Sequence, residues 1–127
     1  MFPDAELVVL SLLDDLGYTC TFLPDEAEWK SMPSVIVVNR VGGGSDGITD
    51  RPLLQVGVYA KESRTRAWAV ATSVRERMLR SGGKAVAGVL IDSVREAQGV
   101  QQLPDLNPDN KFVAATFQMS FRRVFAA

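Results

Sequence analysis

Arg51–Gly83 reads RPLLQVGVYAKESRTRAWAVATSVRERMLRSGG, and its hydrophobic period changes half way along. Leu54, Val56, Val58 and Ala60 alternate with Leu53, Gln55, Gly57 and Tyr59, the period-two mark of a strand with one apolar face. From Ser63 onward, Ala67, Val70, Ala71, Val74 and Met78 recur at spacings of three and four, one stripe of an amphipathic helix. Ser63 is a suitable N-cap, and Gly82 with Gly83 a suitable stop. The apolar strand face needs a cover, and the helix stripe that follows is the nearest one.

Toward the N-terminus, PSVIVVNRV (Pro33–Val41) predicts a strand. Its consecutive β-branched residues, Val35 to Val38, suit a strand covered on both faces. Between the two strands lies Gly42–Asp50, GGGSDGITD, read as a flexible hairpin tip. A phosphate-binding loop is excluded, because no Lys-Ser/Thr pair follows and the next element is a strand rather than a helix. The spacing of Asp46 and Asp50 does not match an EF-hand loop.

Phe2–Leu16 predicts a helix ended by Gly17, with Pro3, Asp4 and Glu6 suited to its first turn. Its apolar residues cover about 200° of a helical wheel. That width suits either a deeply buried helix or one whose edge packs on another subunit. Tyr18–Leu23 reads as a short strand, and Cys20 on it as an inert core residue. Pro24–Met32 is an acidic loop whose large apolar residue, Trp29, is either an anchor over the core or a partner contact.

Toward the C-terminus, a strand is expected at about 88–97, and turn chemistry at Leu103–Asn110. Lys111–Phe125 then alternates cleanly. Val113, Ala115, Phe117, Met119 and Phe121 share its apolar face. The expected order is α-β-β-β-α-β-β, an α+β fold in which a mostly antiparallel sheet is packed by two helices. The 127 residues are expected to form one domain.

Composition narrows the chemistry. Hydrophobic residues make up 46% and charged residues 23%, with a net charge of −1, so nothing global points to nucleic acid or an anionic membrane. No apolar run reaches the roughly 20 residues of a membrane span. The opening MFPDAELVVL carries acids where a signal peptide carries basic residues, so no targeting segment is expected. One cysteine and no histidine leave no Ser-His or Cys-His nucleophile and disfavour a zinc site. Neither catalysis nor a cofactor is expected.

Arg64, Arg66, Arg75, Arg77 and Arg80 crowd the second predicted helix. On the wheel, Arg64 and Arg75 flank a small second patch formed by Trp68 and Leu79. The basic face is either a solvated one paired with acids such as Glu62 and Glu76, or a subunit contact anchored on Trp68. No aromatic platform or reading-helix motif accompanies it, which disfavours specific nucleic-acid binding. The candidate contact residues are Trp68, Arg64, Arg75, Leu79, Trp29, Gly43 and Asp46.

In order along the chain, the apolar first helix, MPSVIVVNRVGG, SDGITDRP, LLQVGVYA with its Ala/Arg-rich helix, VLIDSVREAQGVQQLPD and FVAATFQMSFRR resemble the tail terminator (tail completion) proteins of long-tailed bacteriophages, those of actinobacterial phages in particular. The resemblance covers nearly the whole chain. It implies a structural virion protein, assembled in the host cytoplasm. The implied assembly is a ring, typically of six copies, at the head-proximal end of the tail tube. The ring ends tube polymerisation, offers a docking surface to the head–tail connector, and leaves its lumen open to DNA. Its partners would be itself, the tube protein and the connector, with no membrane. The alternatives are another head–tail joining or tube component, or a small ligand-binding domain or enzyme using Asp14, Asp15, Asp46, Asp50 or Asp92.

Overall fold

The computed structural model of the protein describes residues 2–29, 31–60, 64–102 and 112–122. Helix α1 runs Ala5–Leu13, strand β1 Tyr18–Cys20, the single turn α2 Glu26–Trp29, β2 Val35–Ser45 and β3 Thr49–Tyr59. They are followed by α3 Arg64–Arg80, a small hairpin of β4 Ala85–Val86 and β5 Val89–Leu90, then β6 Ser93–Gln102 and β7 Phe112–Arg122. Strands β1-β2-β3-β7-β6 form one sheet in that order, antiparallel except for the β1–β2 pair. The α+β fold and the helix–sheet order read from the sequence hold, with α2 and the β4–β5 hairpin as additions. The Ser63 cap, Glu62 and the Leu103–Asn110 turn lie outside the described residues.

Alternation decides which face is dry. Ile36, Val38, Leu54, Val56, Val58, Val113, Ala115, Phe117, Met119 and Phe121 are buried on one face of the sheet, beneath both long helices. Helix α1 offers Ala5, Val8, Val9 and Leu13 to it, and α3 offers Ala67, Ala71, Val74 and Met78. Each large side chain buried there contributes about 1.5–3 kcal/mol. On the opposite face, Val35, Tyr59 and Trp29 form a second, smaller cluster with Cys20, Leu23, Met32, Val37 and Phe112 packed on it. The register then carries that face into a polar row, Asn39–Gln55–Thr116–Gln98.

Helix α1 is shorter than Phe2–Leu16. Asp4 caps it, its carboxylate accepting from the Glu6 and Leu7 amides at 3.0 and 3.4 Å. Asp14 is the C-cap, and the Leu16 amide reaches back to the Leu13 carbonyl. Most of the broad apolar surface is spent inside the subunit, because Leu10, Leu12 and Leu16 also pack on the core; Leu7 remains 59% exposed.

Two segments differ from the sequence expectation. Gly42–Ser45 belongs to β2 rather than to the hairpin tip, pairing with Leu53–Asp50 after a bulge at Val41. Backbone groups alone make that ladder, so the absence of side chains does not prevent it. Gly43 is required, since at φ 91° a Cβ would sit 2.1 Å from the Arg51 carbonyl oxygen. The strand expected at 88–97 lies instead at Ser93–Gln102. Ala87 and Gly88, at φ 51° and 77°, turn the chain between β4 and β5 with two consecutive positive φ values, as a type I′ turn needs. Val89 and Leu90 are used in that hairpin, and β6 starts later.

Candidate assembly surfaces

The basic helix face is engaged from within the chain. Arg77 makes a two-pronged ion pair with Asp15 at 2.7 and 2.9 Å and donates to the Leu12 carbonyl at 3.0 Å, tying α3 to the end of α1. This pairing holds the Asp15 carboxyl below its ordinary range and raises the Arg77 pKa. Arg75 pairs with Glu96 on β6. Arg64 donates to the Gln102 side chain at 2.8 Å, and Arg66 to the Pro33 carbonyl at 3.3 Å. The acids concerned come from the turn after α1 and from β6 rather than from α3 itself, which is why sequence proximity did not reveal them.

Trp68 is 37% exposed, and the Arg64 guanidinium stacks over its ring at 5.0 Å. Arg75 is also exposed, and Leu79 is at the margin of exposure. Trp68, Arg75 and Leu79 therefore form one outward stripe, spaced seven and four residues apart. Trp29 lies elsewhere. It is 3% exposed, 5.7 Å from the Tyr59 ring, which in turn lies 4.6 Å from Phe112. Of the two roles open to it, the geometry gives that of loop anchor, so its place among the contact residues is corrected.

Gly43 lies in the β2 ladder, and Asp46 in the β2–β3 tip beyond it. Asp46 closes the tip as an Asx turn, accepting from the Ile48 and Thr49 amides at 2.9 and 2.8 Å. Those amides, with Arg51 at 3.3 Å, bring its pKa down to about 2. Ile48 at the apex is 75% exposed and Val41 at the bulge is also exposed. Beyond the three residues paired with β1, β2 has no strand on its outer side among the described residues. At Arg40 that edge is closed by Glu6, whose carboxylate accepts the Arg40 amide at 2.9 Å.

Asp50, read as a tip acid, is buried at 3% exposure. Arg40 donates to both its carboxylate oxygens at 2.9 Å. The β2–β3 register that sets this pair was not available to sequence reading. Cys20 is half-buried, its thiol raised by burial, so it is a poor nucleophile at neutral pH. Among the described residues no group of acids, Cys or His is arranged to hold a metal ion, and no helix is long and apolar enough to cross a membrane.

No curated protein matches the chain. Among solved structures, a chain from the virion of a native gene transfer agent particle is similar at 10% identity, with a TM-score of 0.60 over 94% of this chain and 87% of that one. This likeness extends the fold, not the role. The sequence model of the phage tail termination protein family matches residues 1–126. Every element described above lies inside that match, and the chain belongs to the phage tail termination protein family: it is a structural protein of the virion tail.

Proposed function

We propose that this protein forms a closed homo-hexameric ring on the head-proximal end of the tail tube, halts tube polymerisation there and presents a docking surface to the head–tail connector. The family match over residues 1–126 carries this reading. A physical argument supports it: a head-to-tail contact that closes on itself leaves no free copy of the growing interface, so growth ends. The residues offered for such contacts are Trp68 with Arg64, Arg75 and Leu79 on one flank, and Asp46 of the β2–β3 tip with Gly43 of the strand leading to it. The work is mechanical, and no residue is assigned a catalytic role.

Light scattering on a sizing column across a concentration series tests the ring, with a discrete species near six times 13.8 kDa expected. Tail length in particles lacking the protein tests the role. Overlong or heterogeneous tails are expected, and tails of ordinary length would remove the terminator reading.

A further inference from the structure

A head-to-tail contact needs two different patches on one subunit, and the Trp68 stripe still lacks a counterpart that would receive it. Arg64 and Arg66 mark where the second lies. Two residues apart on α3, they point to opposite flanks. Arg64 reaches Gln102 at the β6 side, and Arg66 reaches Pro33 at the β1–β2 side. On the Arg66 flank opens a cavity of about 350 Å³, lined by Asp14, Leu16, Tyr18, Met32, Pro33 and Arg66 among others. Its apolar wall is thioether, prolyl ring, leucine and tyrosine, and Asp14 stands exposed at its lip. The knob and the hole therefore flank the same turns of one helix, facing away from each other.

Resting on the ring reading above, we infer that the cavity between Leu16–Tyr18 and Met32–Ser34 is the seat for Trp68 of a neighbouring copy. Two observations favour a second copy as the occupant. The knob is an indole 37% exposed with a guanidinium already stacked on it, and the cavity pairs an apolar wall with the exposed Asp14 carboxylate, its own guanidinium, Arg66, being turned to the Pro33 carbonyl. Arg64 and Asp14 carry opposite charge on opposite flanks.

The test uses the full chain in a Cys20→Ser background. Copies carrying Thr72→Cys, one helical turn from an intact Trp68, are mixed with copies carrying Pro33→Cys, one kind isotopically labelled, and treated with a short bismaleimide. Both positions are exposed enough to be replaced without opening the core, and unchanged melting temperatures check this. A labelled–unlabelled dimer bridging residues 72 and 33 is the expected product. Adding Arg64→Glu should lower its yield roughly tenfold, and Asp14→Lys in the other copy should restore it, about the effect of 1.4 kcal/mol. No mixed dimer, or equal dimer from either variant alone, overturns the seat. A discrete oligomer by light scattering without the 72–33 bridge removes the seat and leaves the ring. The bridge together with ordinary tail lengths in particles lacking the protein keeps the seat and removes the terminator role.

Discussion

Two aspartates close to the β2–β3 tip show how much a few ångströms of placement decide. Asp50 is enclosed and held by both arms of Arg40. Removing Arg40 leaves a buried carboxylate without its partner, so Arg40→Ala is expected to cost about 2–3 kcal/mol in urea unfolding, moderated because Arg40 itself is partly solvated. The double variant Arg40→Met/Asp50→Leu should cost less than that single change, since it removes both charges together. Asp46, a few residues away, is solvated, and its value rests on the two amides it accepts. Its folded pKa of about 2 lies below the ordinary 3.8. Its contribution is therefore complete above pH 3.8 and is lost as the pH falls through about 2. The amide resonances of Ile48 and Thr49 should titrate with a midpoint near 2. Asp46→Asn should abolish that titration while keeping the turn, and a midpoint near 4 in the native protein would contradict the Asx geometry.

At the scale of elements, the β4–β5 hairpin has the clearest room for improvement. Ala87 holds φ 51° ahead of Gly88, a conformation that costs an alanine about 1 kcal/mol and an asparagine less. Ala87→Asn is expected to stabilise the protein by about 0.5–1 kcal/mol, read as a higher melting temperature. A lower melting temperature would mean that the turn is not of this type. This hairpin is also where sequence reading was least able to see the fold. Leu54–Ala60 and Val113–Phe121 were legible because each buries one face, and a period of two then leaves a mark. Val89 and Leu90 sit in a two-residue strand, too short for any period, and the turn sequence Ala87-Gly88 lacks the Asn that would have announced it. Gly42–Ser45 failed for a different reason: a strand made of glycines has no side-chain pattern at all, and only its ladder with Leu53–Asp50 identifies it. The candidate surface was half legible. Trp68 with its arginines could be drawn on a wheel, whereas the cavity opposite needs residues 14–18, 32–34 and Arg66 brought together by the fold.

For the whole molecule, stability and assembly should separate at Trp68. Its ring rests on the helix surface beside Arg64 and lies outside both buried clusters, so Trp68→Asp removes little from the core. The expected change in unfolding free energy is below about 1 kcal/mol, as for a surface position. The same change places a carboxylate where the proposed ring contact would take an apolar knob, and a central aromatic anchor is worth about 2 kcal/mol or more per interface. Because the proposed ring would repeat its contact at every subunit, that loss would recur around the closed assembly, and the concentration at which the oligomer forms should rise by far more than a single contact would give. Arg75→Glu is a poorer probe, since Arg75 already pairs with Glu96 inside the subunit; reversing it sets two carboxylates together on the α3–β6 seam and weakens the monomer as well. Trp68→Asp should therefore give a folded protein with a native melting temperature that sediments as a monomer where the parent protein is oligomeric. In a phage carrying it, tails should lose their fixed length although the protein accumulates normally. A variant that unfolds instead would place Trp68 in the subunit's own core and remove it from the ring contact.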